Sequence, residues 1–494
     1  MTALTWPKNP IIYEINTWVW LQELSRRYQH PIKLATVPAE EWDAIAAVGL
    51  DALWLMGVWE RSPAGIQIAR QYEDLHGEYQ RLLPNYSPDD LVGSPYSVHR
   101  YVVDDHLGGP EGLAAARQAL AERNMLLMLD FVPNHVALDH PWVHLHPEYL
   151  IQGSNVDLAE RPDEFFQTDG KIFAYGRDPY FPPWTDTAQL NAFSPSLRQA
   201  AIDTLGEILG QCDGVRCDMA MLFLNHVFEQ TWGYRAGKRP AAEFWWQVIK
   251  AVRGRSHRVL FMAEVYWNME RELQQQGFDY CYDKRLYDCL VHETAETTRQ
   301  HLLADLTFQE KLVRFIENHD EPRAAAIFDP QRLPAAAVTI ATLPGAKLFH
   351  QGQFEGRQIK LPVQLGRRPA EQIVVDLQTF YGKLLRAINP SVFRDGEWRL
   401  GGLAGWPDNA SYTNLLAWCW RQGDQRRLIV VNLSNQSAQG HILPPWGDLA
   451  GRAWRLTDVF SRDIYERAGD EMCDPGLYVA LEAWGFHFLR FEKI

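Results

Sequence analysis

Cysteine is scarce in this chain, and its placement excludes two kinds of stabilising framework. The 494 residues include six cysteines, and none of them forms a CxxC pair. Disulfide frameworks are typical of short, cysteine-dense chains, and cysteine metal clusters need paired spacings, so neither is expected. Several of these residues lie in apolar segments, which predicts buried free thiols. The cysteines are Cys212, Cys217, Cys281, Cys289, Cys419 and Cys473.

Long apolar runs are absent as well. Residues 1–10 show no basic segment followed by an apolar one, as an export signal would. No later run approaches the roughly 20 apolar residues of a membrane-spanning helix. We expect a soluble, cytoplasmic protein with no membrane partner.

Positive charge is also in short supply. Lys and Arg number 48 against 62 Asp and Glu, which gives a formal net charge of −14. Nucleic-acid binding depends largely on clustered Lys and Arg, so no nucleic-acid partner is expected. A neutral partner is easier to accommodate.

Hydrophobic residues, by contrast, are plentiful and recur in a regular pattern. They make up 46% of the sequence, enough for the cores of two or three domains. Short apolar runs alternate with amphipathic helical segments, and eight such units closing on one another form a (β/α)₈ TIM barrel, an α/β fold. The predicted strands lie near residues 12, 53, 128, 215, 261, 280, 315 and 348.

Two stretches break this rhythm. From about Ala137 to Leu190 the chain is rich in Pro, His and aromatic residues, which indicates a short inserted subdomain after strand 3. Beyond Pro390 the segments are short and alternating, which indicates a C-terminal all-β sandwich domain. The predicted division is 1–136 for the first part of the barrel, 137–190 for the insert, 191–389 for the second part and 390–494 for the β domain.

The stretch from Gly214 to Leu222 places an acid at the carboxyl end of an apolar strand. Residues i and i+2 of a strand share a face, so Arg216 and Asp218 point the same way, and the guanidinium favours the ionised acid. Taken alone, this is typical of an ordinary ion pair. A nucleophilic carboxylate is the alternative.

Two more acids change the balance between these alternatives. Asp218, Glu264 and Asp320 follow strands 4, 5 and 7, whose carboxyl ends converge on one mouth of a barrel. Each alone is explained by a solvated loop, but three acids facing one cleft repel each other, so stability does not account for the set. Cleavage of a glycosidic bond uses one ionised carboxylate and one protonated carboxyl.

The surroundings of these acids suggest a role for each. Asp218, beside Arg216, is suited to be the ionised nucleophile. Glu264 has the neighbours Tyr266 and Trp267, and apolar surroundings raise the pKa of a carboxyl toward that of a general acid. Asp320 would then bind sugar hydroxyls and help to distort the ring.

Two histidines and a tyrosine are further candidates for sugar binding. His135 and His319 follow strands 3 and 7, and each could donate hydrogen bonds to sugar hydroxyls, although single histidines are more often structural. Neither has the helical spacing of a metal ligand. Tyr96 could stack on a sugar face, with core packing as the alternative.

Four segments together resemble the signature regions of the α-amylase family, the retaining α-glucoside-active family built on a (β/α)₈ barrel. They match in order and at plausible separations, and Gly93–Tyr101, Thr187–Asn191 and the C-terminal sandwich extend the resemblance over nearly the whole chain. The four segments are Asp130–His135, Gly214–Asp218, Ala263–Val265 and Phe315–Asp320.

The resemblance implies specific roles and a specific mechanism. It assigns Asp218 as nucleophile, Glu264 as acid/base and Asp320 as transition-state stabiliser. A retaining double displacement places the nucleophile and the acid/base roughly 5 to 5.5 Å apart. The sugar being cleaved would be held by Tyr96, His135, Arg216 and His319.

The chain departs from the family pattern after the nucleophile. Many starch-degrading members have Lys-His where this chain has Met221-Leu222, on the side of the cleft that holds the leaving group. No cofactor is expected for the chemistry. Asn134 matches a position that often binds structural calcium in the family, but the acids of the insert form no loop of EF-hand type.

The sequence therefore predicts a retaining enzyme whose substrate is an α-glucan or oligosaccharide, by default a hydrolase of α-1,4-linked glucose oligomers. Transglycosylation, in which a sugar resolves the intermediate, is the alternative that an apolar Met221-Leu222 acceptor side would favour. A catalytically inactive glycan-binding protein is a third reading, although such proteins usually lack one of the three carboxylates.

Overall fold

The computed structural model describes residues 4–71, 73–83, 85–255 and 259–494. At its centre is a closed barrel in which each strand pairs with the next one along the chain and the last strand pairs with the first. All of these pairs are parallel, which confirms the predicted (β/α)₈ barrel. The strands are β1 (Ile11–Asn16), β2 (Ala52–Met56), β3 (Leu126–Phe131), β4 (Gly214–Cys217), β5 (Leu260–Ala263), β6 (Tyr280–Tyr282), β7 (Leu312–Arg314) and β8 (Ala346–His350).

Burial explains why apolar runs revealed these strands. Every residue of β2 to β8 is buried, as expected for parallel strands covered on both faces. The sequence predicts a strand within Leu312–Arg323, but β7 is shorter and ends at Arg314. There, Asn318 Oδ1 accepts hydrogen bonds from the backbone N–H groups of Asp320 and Glu321 (2.9 and 2.8 Å), which turns the chain out of the sheet.

Helices connect the barrel strands. The pair Ser194-Pro195 predicts the N-cap and first residue of a helix, and the structure confirms it, since Ser194 Oγ accepts a hydrogen bond from the backbone N–H of Leu197. The sequence also predicts a helix over Ala241–Val252, but the helix begins at Phe244, because the carbonyl of Ala242 accepts side-chain hydrogen bonds. The main barrel helices are Thr17–Tyr28, Ala39–Ala47, Gly109–Ala121, Pro195–Gln211, Asn225–Trp232, Phe244–Arg255, Glu270–Gln275, Lys284–His292, Ala295–Leu302, Arg332–Thr342 and Val375–Ile388.

Two connections near the carboxyl ends of the strands carry structure of their own. After β2, the strand Trp59–Arg61 pairs with Val98–Val103, and the helices Pro63–Ala69 and Glu73–Leu82 lie between them in the chain. After β3, a four-stranded antiparallel sheet forms, and three of its strands lie wholly within the region predicted as an insert. Its strands, in spatial order, are His135–Ala137, Trp184–Gln189, Lys171–Gly176 and Phe165–Thr168.

The C-terminal part consists of two antiparallel sheets with an apolar core between them, which confirms the all-β prediction. One sheet has the order Glu397–Leu400, Leu415–Gln422, Gln425–Asn432, Phe486–Lys493, Ala453–Asp458 and Ile464–Ala468. The other has the order Gly402–Ala404, Ala438–Leu443 and Leu477–Leu481.

The cysteines and the helices bear on two earlier expectations. Five cysteines are buried free thiols as predicted, but Cys473 is exposed. It lies in the surface turn Met472–Gly476, so the expectation of burial is wrong for that residue. Among the described residues, no helix is long and apolar enough to span a membrane.

Two tryptophans attach the C-terminal domain to the barrel. Trp418 and Trp420 are almost fully buried and belong to the barrel core. Trp418 Nε1 donates a hydrogen bond to Thr342 Oγ1 at 3.1 Å, and Trp420 Nε1 donates to the Thr342 carbonyl at 2.6 Å. This contact ties the larger sheet to the end of the helix that precedes β8.

We predict that Trp420→Ala lowers the free energy of unfolding by about 3–5 kcal/mol, because it leaves a large cavity and an unpaired carbonyl. The measurement is the midpoint of thermal unfolding, followed by circular dichroism. Trp246→Ala is the matched control, since Trp246 is 48% exposed and its loss costs about 0.5 kcal/mol or less. Equal shifts in the two variants would contradict this account of the domain contact.

Candidate active site

Arg216 on β4 is the centre of a cluster of acids at the carboxyl ends of the strands. Its side chain is fully buried. Nη1 lies 2.6 Å from Asp218 Oδ1, and Nη2 lies 2.8 Å from Glu264 Oε2 and 3.9 Å from Asp320 Oδ2. The structure thus brings together the three carboxylates that the sequence analysis selected, around the arginine that it paired with Asp218.

Aromatic rings enclose this guanidinium. Its central carbon lies 5.1 Å from the ring centre of Tyr96, 5.4 Å from that of Trp54 and 5.8 Å from that of Tyr282. Rings at these distances stabilise a cation through their negative faces and exclude water from it. The guanidinium is therefore held in one place, and its charge acts on the acids without solvent screening.

Asp218 follows β4 directly and is anchored by the backbone. Its N–H donates to the Phe131 carbonyl at 2.9 Å, so the neighbouring strand fixes its position. Burial raises the pKa of the Asp218 carboxyl, while its hydrogen bond from Arg216 acts to lower it. Arg216 therefore favours the ionised form of Asp218 and opposes the effect of burial.

Glu264 follows β5 and has different partners. The backbone N–H of Met219 donates to Oε2 at 2.6 Å, and the Tyr266 hydroxyl donates to Oε1 at 2.8 Å. The pKa of Glu264 is raised to about 7, chiefly by burial and also by the charges of Asp218 and Asp320, while Arg216 opposes the rise. At neutral pH a substantial fraction of Glu264 therefore carries a proton.

Asp320 reaches the cluster from the loop beyond β7, not from the end of the strand. Its side chain is 41% exposed, whereas Asp218 and Glu264 are almost completely buried. Burial acts to raise the pKa of Asp320, but His319, Arg216 and Lys360 outweigh it and hold the pKa well below the usual range. Asp320 is thus an ionised acid that a ligand can contact.

His319 links Asp320 to two other side chains. Its Nδ1 lies 2.5 Å from Glu14 Oε1, and its Nε2 lies 2.6 Å from the Tyr96 hydroxyl and 2.9 Å from Asp320 Oδ2. Burial acts to lower the pKa of His319, but the two carboxylates raise it well above the ordinary value. The ring also stacks on Tyr96 with centroids 5.3 Å apart. His319 is therefore a fixed imidazolium.

Sequence reasoning missed two buried acids at this site. Glu14 on β1 is fully buried and holds His319. Asp130 on β3 accepts hydrogen bonds at 3.2 Å from Trp54 Nε1 and from the backbone N–H of Gly57, and its Oδ1 lies 3.8 Å from Arg216. Burial raises the pKa of Asp130 to about 6. An acid inside an otherwise apolar strand was the signal that could have revealed both.

His135 lies on the wall formed by the insert. Its ring centre is 5.1 Å from that of Trp184, on the strand Trp184–Gln189. Burial lowers the pKa of His135 to about 4, although Asp186 opposes this, so the ring is neutral at pH 7. His135 therefore lines the cleft as a neutral hydrogen-bonding group.

Asn134 does not fit the calcium role that the family resemblance suggested. Gln189 Nε2 donates hydrogen bonds to the carbonyl oxygen and to Oδ1 of Asn134, at 2.9 and 3.0 Å. An amide donor occupies the position from which a calcium ion would approach these oxygens. Within the described ranges, no group of three or more His, Cys, Asp or Glu side chains could hold a metal ion.

Met221 and Leu222 do not form the acceptor side of the cleft, so that expectation is wrong. Both are buried in the short 3₁₀ helix Ala220–Phe223 and belong to the apolar core. Within this segment, the residue that lines the cleft is Met219, whose φ of +41° is unusual for a side chain with a β-carbon. Met221 and Leu222 lie in the core because the chain turns sharply just after Asp218.

Two adjoining cavities open above the acids. The first, of about 300 Å³, reaches Asp218, Glu264 and Asp320, and Tyr96, His135 and Trp184 also line it. The second, of about 660 Å³, shares Trp184, Met219 and Tyr266 with the first. Cavities of this size are typical of small-molecule sites.

The second cavity also has an aromatic wall. Trp267 lines it and packs edge-on against Tyr180, with ring centres 4.8 Å apart. Trp267 and Asn268 both have positive φ, at +62° and +60°, and such strained positions cluster at functional sites. The acids are thus flanked by a broad space with an aromatic surface.

Comparison with known proteins agrees with this geometry. The family model described as the alpha-amylase catalytic domain matches residues 39–382. The alpha-amylase MalA of Haloarcula japonica is 24% identical over 366 residues, which are 72% of this chain and 45% of MalA. This chain therefore spans less than half the length of that curated relative.

Solved structures of the same fold cover nearly the whole chain. A maltogenic alpha-amylase, AmyB, from Thermotoga neapolitana superposes with a TM-score of 0.68 at 19% identity, over 98% of this chain and 99% of AmyB. The alpha-amylase GTA of Geobacillus thermoleovorans, solved with acarbose, gives 0.66 at 17% identity, over 99% of each chain. The structures establish a shared fold, and because the family model matches well over half of its length, this chain belongs to the α-amylase family.

Proposed function

We propose that this protein is a retaining glycosidase that cleaves α-glucosidic bonds in α-1,4-glucans or maltooligosaccharides. The observation that carries the proposal is the guanidinium of Arg216, which contacts Asp218 at 2.6 Å and Glu264 at 2.8 Å. One cation balances only one of two buried negative charges, so the second carboxyl retains its proton near neutral pH. An ionised and a protonated carboxyl side by side are the pair that retaining glycosidases use.

In the first step, Asp218 attacks the anomeric carbon while Glu264 transfers its proton to the glycosidic oxygen. The bond between that carbon and that oxygen breaks, and a covalent ester to Asp218 forms. The departing sugar leaves with the proton as a free hydroxyl. Glu264 is now an anion that Arg216 and the backbone N–H of Met219 stabilise.

In the second step, Glu264 acts as the base. It takes a proton from a water molecule, whose oxygen attacks the anomeric carbon and releases Asp218 as a carboxylate. Two inversions restore the α-configuration, and both carboxyls return to their starting protonation states. Because its pKa is raised, Glu264 can therefore serve first as the acid and then as the base.

Asp320 and His319 would hold the sugar between these steps. Asp320 is ionised and partly exposed, so it can accept hydrogen bonds from two ring hydroxyls, and these bonds strengthen as the ring flattens toward the transition state. His319, fixed by Glu14, supplies an N–H donor beside it. The presence of all these groups argues against an inactive glycan-binding protein.

Transglycosylation is the second candidate. The observation that favours it is the 660 Å³ cavity beside Glu264, whose wall includes Trp184, Trp267 and Phe181. Aromatic faces bind the apolar faces of sugars, so an acceptor sugar could occupy this cavity and displace water at the intermediate.

Replacement of the proposed nucleophile is the first test. Asp218→Asn should lower kcat for maltoheptaose hydrolysis roughly 1,000-fold or more, because an amide cannot form the ester. Asp213→Asn is the matched control at the other end of β4, where Asp213 accepts a hydrogen bond from Arg117 at 2.6 Å. It should lower thermal stability and leave kcat nearly unchanged. Substantial activity in Asp218→Asn would exclude this nucleophile.

The pH profile tests the proposed acid. Because the pKa of Glu264 is raised to about 7, kcat/KM should fall as pH rises through about 7 and the proton is lost. Glu264→Gln should abolish this alkaline limb and slow maltooligosaccharide cleavage about 10²- to 10⁴-fold. Glucosyl fluoride needs no proton for its leaving group, so the first step with that substrate should be nearly unaffected. An unchanged alkaline limb in Glu264→Gln would assign the acid role elsewhere.

Product analysis separates hydrolysis from transfer. With maltotriose in excess as both donor and acceptor, hydrolysis gives only shorter products, whereas transfer gives products longer than maltotriose. If the aromatic cavity binds the acceptor, Trp267→Ala should lower the ratio of transfer to hydrolysis. Shorter products alone, at every acceptor concentration in chromatographic analysis, would dismiss the transferase activity.

A further inference from the structure

The smaller sheet of the C-terminal domain has one face turned to solvent. Along its strands, alternate residues point into the domain core: Ala438, Ile442, Leu477, Val479 and Leu481 are all buried. Residues between them point the other way because side chains alternate across a strand. The outward face is therefore formed by the intervening positions.

Three aromatic rings gather on this outward face. His441 and Tyr478 are directly opposed across neighbouring strands, and Trp406 lies just beyond the strand Gly402–Ala404. The ring centres of Trp406 and His441 are 4.8 Å apart, and that of Tyr478 is 6.1 Å from each. Trp406 is 37% exposed and Tyr478 is 47% exposed. Single exposed aromatic residues are common, but a cluster of them is typical of an interaction surface.

The neighbouring outward positions are small and uncharged. Gly402 and Ala404 lie on the same face, as partners of Leu443 and His441, and Ala480 lies opposite Gln439. These short side chains leave room beside the rings. The Tyr478 hydroxyl donates a hydrogen bond to Gln439 Oε1 at 2.8 Å, so its oxygen is fixed in place and can still accept one.

We propose that this face, defined by Trp406, His441 and Tyr478 and called the aromatic platform, binds a neutral α-glucan chain at a site separate from the active site. Its outward strand positions carry no charge, which suits a neutral ligand. Its rings suit the apolar faces of sugar units, and the polar groups of Tyr478, Gln439 and His441 suit their hydroxyls. The choice of an α-glucan rests on the function proposed above.

The size of the aromatic platform favours a sugar chain over a protein partner. Three strands spaced about 4.8 Å apart, with a longest member of six residues at about 3.4 Å each, form a face of about 200 Å². A stable protein interface buries about 800 Å² on each partner. The face is thus too small for a second copy of the chain, but it accommodates a few sugar units.

Binding at the aromatic platform would raise the effective concentration of glucan at the active site. A polymer held by the C-terminal domain stays tethered to the molecule that carries the barrel, so its other segments meet the active site more often than free polymer does. The benefit applies to long glucans and not to short oligosaccharides, which cannot reach both sites at once.

The test measures binding without turnover. In the Asp218→Asn background, native gels containing amylose or glycogen give an apparent dissociation constant from the retardation of the protein. Adding Trp406→Ala and Tyr478→Ala should weaken this binding about tenfold, the effect of losing about 1.4 kcal/mol of contact. Trp406→Phe, which keeps an aromatic face, should weaken it much less. Trp246→Ala, at an exposed tryptophan on the helix Phe244–Arg255, is the control and should leave retardation unchanged.

Each alternative result overturns the proposal. Equal retardation with and without the platform rings would place all glucan binding elsewhere. No retardation of the parent protein would show that the aromatic platform does not bind glucan. Equal weakening in the Trp246→Ala control would show that glucan binding does not depend on the platform rings in particular. A change in sedimentation mass in the platform variants would identify a contact between copies instead. Hydrolysis of maltoheptaose by the unmodified protein tests the proposed function separately, so the two proposals can fail independently.

Discussion

The site depends on one buried cation shared by carboxyls that cannot all be ionised. Arg216 is fully buried, contacts Asp218 and Glu264, and lies 3.9 Å from Asp320. Removing a guanidinium from water is costly unless anions replace the water, and crowding anions is costly unless a cation or a proton separates them. The cluster satisfies both conditions only if the acids differ in protonation. This constraint explains why the acids around Arg216 have different hydrogen-bonding and charged partners.

The barrel makes this arrangement possible. Parallel strands end at one mouth, so Arg216, Asp218 and Glu264, from two adjacent strands, meet although 48 positions separate the first from the last. Asp320 and His319 come from the loop after β7, and Glu14 on β1 fixes His319 from across the closure of the barrel. The connection after β3 adds Trp184 and His135 to the wall. Residues from several separate segments of the chain therefore form one site.

The sequence predicted the barrel because burial on both faces leaves a clear signal. Runs such as Leu126–Phe131 are apolar throughout, apart from the acids that the site needs. The same reasoning predicted Asp218 and Glu264, since each directly follows such a run. It also predicted a cleft that contains Asp320. The strand before Asp320 is shorter than predicted, because hydrophobic periodicity does not reveal the local hydrogen bonds that Asn318 Oδ1 accepts.

Other features required the three-dimensional arrangement. Met221 and Leu222 are buried because the chain turns at Met219, whose φ is positive. A methionine in the sequence does not indicate such a backbone angle. The pairing of Asn134 with Gln189 joins positions 55 residues apart, so no local pattern could reveal that its oxygen is occupied. Glu14 and Asp130 were visible as acids in apolar strands, but only their contacts show that they position His319 and lie beside Arg216.

The most direct test of this account is to trap the proposed intermediate. A fluorinated glucosyl fluoride forms the ester faster than it is hydrolysed, so the labelled protein can be digested and its peptides sequenced by mass spectrometry. The account predicts one added glucosyl group per chain, attached to Asp218, with slower labelling in Arg216→Lys. Label on Glu264 or Asp320, or turnover without any covalent adduct and with inversion at the anomeric carbon, would contradict it.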